Sequence, residues 1–133
     1  MHNLPTHAAK AVIQNAEGKI LFLKRSPSRS SGDSWDLAGG LVEVGEEDKT
    51  ALRREIQEEL GVDAMVGDEL GRWTFHRSLD NRLVGVTNYS VKLLSTDIRL
   101  SEEHVDFRWV SLEEMRKLPV KDVGLYDAVI IET

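Results

Sequence analysis

There is no cysteine anywhere in the 133-residue chain. That excludes a disulfide framework, a thiolate metal site and a cysteine nucleophile, and it fits a reducing compartment. Long apolar runs are also missing, and no stretch approaches the ~18 residues of a membrane-spanning helix. The opening Met1-His2-Asn3-Leu4-Pro5 has no basic segment leading into an apolar one. No signal peptide is expected, and the chain reads as cytoplasmic with no membrane partner. Basic excess is lacking too: 17 Lys and Arg face 23 Asp and Glu, a net charge of −6. Nucleic-acid binders carry a basic face or stripe, so nucleic acid is not an expected partner. A small phosphorylated molecule stays open, because divalent cations can sit between an acidic site and an anion. No Gly-x-Gly-x-x-Gly fingerprint occurs. Gly40 and Gly45 have P-loop spacing, but Glu46-Glu47 stands where Lys-Ser/Thr is required. His7, His76 and His104 show no paired zinc spacing, and each reads as a surface or hydrogen-bonded residue.

What is present suits one ordinary domain: 41% hydrophobic, 30% charged, and long enough to bury a core without staples. Residues 8–14 and 19–24 read as strands, and Asn15-Ala16-Glu17-Gly18 between them has hairpin-turn chemistry. A polar loop over 26–33 follows, then a short apolar patch over 35–38 that meets Gly39-Gly40. Residues 46–60 form the best helix candidate, with acidic residues in the first turn and Gly61 as the stop. Strands are expected over 70–76 and 83–94 around a turn at 78–82, and again over 106–110. Ser111 and Glu114 make a capping box opening a short helix, and a last helix is expected over 122–131. Strands and helices are mixed, so the class is α/β or α+β.

On the proposed helix, Leu52, Ile56 and Leu60 form one apolar stripe that should face the core. Glu55, Glu58 and Glu59 form a neighbouring stripe at i, i+3 and i+4, so their side chains converge. Like charges at that spacing each destabilise a bare helix by roughly 0.2–0.5 kcal/mol, which suggests a compensating cation. Carboxylate oxygens are hard ligands suited to Mg²⁺ or Mn²⁺. A lone Glu-Glu pair would read as a solvated face. Here the surrounding pattern decides.

Residues 40–62 read GLVEVGEEDKTALRREIQEELGV, and this segment resembles the Nudix box at every specified position. Those positions are Gly40, Glu46, Arg54, Glu55, Ile56, Glu58, Glu59, Gly61 and Val62. With residue usage near ~7% each, a chance match has a probability on the order of 10⁻⁷. The likeness extends to Trp35-Asp36-Leu37-Ala38-Gly39-Gly40, where relatives commonly carry proline at the position of Ala38. Glu102-Glu103-His104 and Phe107-Arg108-Trp109-Val110 are similar to the family's later loop and strand.

The resemblance implies a single-domain α/β/α sandwich around a central mixed sheet. It implies that Glu55, Glu58 and Glu59, with the Gly39 carbonyl, hold Mg²⁺, with Mn²⁺ as a substitute. Arg54 would orient Glu55, and Glu46 would brace the loop. The general base would be one of Glu55, Glu58, Glu102 and Glu103. Arg25, Gly40 and Trp73 are candidate substrate contacts, although core packing is the plainer reading of each tryptophan. The implied activity is hydrolysis of a nucleoside triphosphate, normal or oxidised, to monophosphate and pyrophosphate. Another diphosphate (ADP-ribose, a sugar nucleotide or 5′-capped RNA) is the alternative, and a non-catalytic nucleotide sensor is a further one. The related isopentenyl diphosphate isomerases need a catalytic cysteine, which this chain lacks. A homodimer is a further expectation, since relatives are often dimers.

Overall fold

Strand β1 (His7–Ile13) is buried on both faces, which requires covering layers above and below it. The computed structural model describes residues 4–29 and 32–120, so the helix expected over 122–131 lies outside the described residues. Within them, β1 occupies the middle of a mixed four-stranded sheet. The order is β4 (Ala38–Leu41), β1, β6 (Arg82–Leu93), β5 (Ala64–Arg77), with β1 and β6 parallel and the other pairs antiparallel. A second, three-stranded sheet runs β3 (Trp35–Asp36), β2 (Ile20–Arg25), β7 (His104–Val110).

Alternating side chains of β1 and β2 feed two cores. Ala9, Ala11, Ile13, Leu21 and Leu23 pack beneath Leu52, Ile56 and Leu60 of helix α1 (Asp48–Leu60). Val12, Ile20 and Phe22 pack on the other side with Trp35, Leu37, Val110 and Met115 of the short α2 (Leu112–Met115). The apolar stripe read from the sequence therefore faces the core, and all three residues are fully buried. Each such burial contributes roughly 1.5–3 kcal/mol. Gly61 ends α1 at φ 69°, donating its N–H to the Gln57 carbonyl.

Several boundaries differ from the sequence reading. The Asn15–Gly18 turn forms, with the Asn15 side chain accepting from the amides of Glu17 and Lys19. It does not close a regular hairpin: beyond one bridge between Gln14 and Ile20, β1 and β2 part into different sheets. Helix α1 begins at Asp48 rather than 46, because Gly45 at φ 85° and the Glu46 N–H to Glu43 carbonyl bond make residues 43–46 a turn. Strand β5 starts at Ala64 rather than 70, since bulges near Glu69 interrupt the alternation that marks a strand. Strand β7 likewise starts early, at His104. The Ser111–Glu114 capping box closes in both directions at 3.1 Å. Among the described residues, no helix is long and apolar enough to cross a membrane.

One topological detail positions the site. Residues 35–41 begin paired to β2 as β3 and end paired to β1 as β4, so the chain changes sheets at Leu37. Gly39 follows two residues later, opposite Lys10 of β1.

Candidate active site

The close approach of helix and strand begins with two glycines. At Gly39, φ is 135°, and an added Cβ would lie 2.2 Å from the Ala9 carbonyl oxygen. At Gly40, the same atom would lie 2.7 Å from the Glu55 carboxyl carbon. Only glycine lets β4 lie this close to β1 and to the carboxylate face of α1. The Gly39 N–H then donates to Glu59 Oε1 at 2.7 Å, fixing the end of α1 to β4.

Arg54 braces the other end of the box. Its guanidinium donates twice to Glu46, at 3.0 and 3.1 Å, and once to Glu55 at 3.0 Å. Glu46 in turn accepts the Glu43 backbone N–H at 3.1 Å. Glu58 lies 3.5 Å from Arg54 and is well exposed. Both carboxylates expected to converge with it are less exposed, Glu55 at 18% and Glu59 at 6% of the side chain.

The electrostatics follow burial. Desolvation pushes the Glu59 carboxyl up to about 8, against the pull of Lys10 and the Gly39 amide, while Glu55 and Asp36 push it further up. Burial also raises Glu55, with Arg54 opposing. His104 lies against Glu59, its Nδ1 3.9 Å from Glu59 Oε2 and without a hydrogen-bond partner. Burial lowers that imidazole to about 4, and the Lys10 charge lowers it further. Glu59, Glu103 and His104 offer ligand atoms within 4.8 Å of one another.

A cleft of about 320 Å³ is lined by Glu58, Glu59, Ser101, Glu102 and Glu103. The structure therefore brings the later-loop glutamates to Glu58 and Glu59 of the box, while Glu55 does not line this cleft. Glu103 is also paired with Arg29 at 3.1 Å. Three sequence candidates sit differently. Gly40 lies against Glu55. Arg25 is buried, with its guanidinium 3.9 Å from Asp36. Trp73 is half-buried on β5, donates its indole N–H to Asn88 at 3.0 Å, and lines a larger cleft of about 510 Å³ with His7, Asp48, Arg72 and Tyr89. That cleft shares no lining residue with the acidic one. It opens at Asp48, roughly 16 Å along the helix from Glu59 at 1.5 Å per residue.

Sequence reading missed two members of the site. His104 read as a surface or hydrogen-bonded residue but is buried, with one nitrogen unpartnered; its place directly after Glu102-Glu103 was the available signal. Lys10 carried no signal, since one lysine in a strand reads as an edge or solvent residue.

The family model for the NUDIX domain matches residues 4–129. The chain belongs to the Nudix family. Its Nudix fold is similar throughout to the crystal structure of the MutT protein from Methanosarcina mazei Go1, with a TM-score of 0.84 and 30% identity, covering 99% of this chain and 96% of that one. By sequence it is 32% identical over 120 residues to a CTP pyrophosphohydrolase of Escherichia coli strain K12, covering 89% of this chain and 87% of the relative. A nucleoside triphosphatase, NudI, of Escherichia coli O81 is 34% identical over 117 residues, covering 78% and 80% respectively. The protein is thus a Nudix pyrophosphohydrolase, and the α/β architecture read from the sequence is that of its Nudix neighbours.

Proposed function

We propose that this Nudix hydrolase cleaves a nucleoside triphosphate, normal or oxidised, to monophosphate and pyrophosphate with Mg²⁺ as its metal and Mn²⁺ as a substitute. The observation that carries the metal reading is Glu59, a carboxylate sealed from solvent between Glu55 and the unpartnered imidazole of His104. Near neutral pH such a group is held protonated despite Lys10, and a further cation beside it favours the charged form. The available donors are the carboxylates of Glu55, Glu58 and Glu59 and the Gly39 carbonyl, all hard oxygens that suit Mg²⁺. When bound, the metal would neutralise the phosphates and lower the pKa of a water molecule.

The chain's own residues supply the rest. Arg54 holds Glu55 and Glu46, so the loop and the carboxylate move together. A proton acceptor needs an uncommitted lone pair near the reacting water. Glu103 is engaged by Arg29, and both Glu55 and Glu58 lie within ion-pair reach of Arg54, which leaves Glu102 as our candidate proton acceptor. Trp73 is the candidate for stacking the base and Gly40 for backbone contact to phosphate, whereas Arg25, buried against Asp36, is not placed to meet substrate directly. The chain has no cysteine, and no covalent phosphoryl acceptor is invoked.

The triphosphate assignment draws on the two relatives, whose names specify CTP and nucleoside triphosphates. It is tested by product analysis over a panel of triphosphates, sugar nucleotides and ADP-ribose. A triphosphate should yield monophosphate and pyrophosphate, with one ¹⁸O from labelled water in a single product and no trapped phosphoenzyme. Release of orthophosphate leaving a diphosphate would overturn the cleavage reading. Undiminished turnover in excess EDTA would overturn the metal.

A further inference from the structure

Lys10 sits in the middle of a strand whose other residues from Ala8 onward are alanine, valine and isoleucine. Its side chain is only 14% exposed, and its ammonium donates to Asp36 Oδ2 at 3.0 Å and to the Leu37 carbonyl at 3.3 Å. Asp36, itself buried, accepts the Leu37 N–H through its other oxygen at 2.8 Å. These three bonds converge on the point where the chain leaves one sheet for the other. At such a crossing the Leu37 peptide lies between β3 and β4 and belongs to neither, so side chains must satisfy it. Gly39 is the next residue but one, and it pairs directly with Lys10 across β1 and β4.

We propose that Lys10 is a positioning residue for the reaction centre: with Asp36 it staples the sheet crossover at Leu37 and so sets where Gly39 places its carbonyl and the amide that it donates to Glu59.

The idea rests on Gly39 and Glu59 as metal ligands, the reading given above. Its geometry is independent of any metal. The Ala9 carbonyl crowds Gly39 on the β1 side, and residues 36–38 lead directly into its peptide from the crossover. The charge of Lys10 also reaches the site, since the ammonium is among the strongest influences on Glu59 and His104. A purely structural ion pair behaves differently. Buried pairs replaced as a unit by neutral groups are commonly neutral for stability, whereas removal of one partner leaves a buried charge uncompensated.

The test is Lys10→Met/Asp36→Asn, which removes both charges together and leaves the introduced side-chain amide able to accept the Leu37 N–H. Three quantities are compared with wild type: hydrogen exchange of the Gly39 amide in EDTA, Mn²⁺ binding followed by electron paramagnetic resonance without nucleotide, and kcat against KM. Expected are a folded protein with a lowered melt, since buried Arg25 at 3.9 Å loses the Asp36 charge, Gly39 exchange at least tenfold faster while amides in the middle of α1 are unchanged, Mn²⁺ binding at least tenfold weaker, and a lower kcat with KM held. Wild-type exchange at Gly39 together with wild-type kcat would overturn the proposal, leaving the pair a fold element only. If the double variant does not fold, Lys10→Gln, shorter and uncharged, is read by the same measurements and the same two outcomes. Wild-type protein that binds no Mn²⁺ would defeat the metal reading, while Gly39 exchange would still decide whether Lys10 sets that peptide.

Discussion

Burying a carboxylate beside a second carboxylate sets Glu59 apart from the glutamates around it, and the consequences are measurable one residue at a time. Glu59→Gln should lower turnover by at least about 10²-fold, the scale of a lost catalytic electrostatic element. The variant should fold, because the amide still accepts from Gly39 and the repulsion from Glu55 is gone; initial rates and a melt on one sample check both. The pH dependence has a definite sign. A carboxyl raised to about 8 in the fold and ordinary when unfolded stabilises the protonated native state at low pH. That contribution is lost as pH rises toward 8 and changes no further beyond it. His104, lowered to about 4, is neutral when folded but still partly protonated when unfolded near pH 6.5, so it offsets part of the slope there and drops out as pH rises toward 8. Metal-free protein should therefore lose on the order of 1 kcal/mol per pH unit between pH 6.5 and 8. Glu59→Gln should flatten that slope; equal slopes in both proteins would contradict the burial argument. At this scale the sequence exposed the box carboxylates as one helical stripe, whereas the ligand atoms that lie within 4.8 Å of one another belong to Glu59, Glu103 and His104. The sequence concealed Lys10 and His104, whose roles depend on strands that are distant in the chain.

Strand β4 shows how one element can carry two kinds of constraint in adjacent residues. At Gly39 the obstacle to a side chain is backbone, and the conformation is left-handed. Gly39→Ala should destabilise by roughly 2–4 kcal/mol, since neither strand can yield. At Gly40 the obstacle is the end of the Glu55 side chain, which can swing away. Gly40→Ala should keep its melting temperature within a few degrees yet lose at least about tenfold in rate, because Glu55 is displaced. Chemical denaturation and initial rates distinguish the two; a Gly40→Ala enzyme with full activity would show that the position of Glu55 is not critical. Helix α1 was legible because amphipathic period, first-turn acids and Gly61 all agreed. The first half of β5 was not, since bulges displaced the alternation that identifies a strand. The divergence of β1 from β2 was hidden too: turn chemistry specifies a reversal but not which neighbours the strands take afterwards.

For the molecule as a whole, the acidic cleft predicts that metal stabilises the fold. At a hundredfold excess over Kd, binding to the native state alone adds about 2.7 kcal/mol. For a domain of this size that is a rise of roughly 10 °C in Tm, read by melting with millimolar Mg²⁺ against excess EDTA. Superimposable curves would remove the motive for reading the three glutamates as a site. The fold class was visible in the sequence because the box is a contiguous segment in which all nine specified positions are present. The pairing of its last glutamate with a loop more than forty residues later was not, because only the folded sheets bring them together.

The contact of Gly39 with the Ala9 carbonyl carries one more implication. Strand register moves only in whole residues, and a shift of one would put Ala38 or Gly40 where Gly39 stands. Ala38 has a side chain that this approach cannot admit, and the opposite slip would set the Leu41 side chain where Gly40 leaves room for Glu55. The enzyme therefore has no neighbouring arrangement in which it works at reduced efficiency. Partial slackening of the β1–β4 pairing should silence it completely, so residual activity during gradual denaturation should count intact molecules rather than weakened ones.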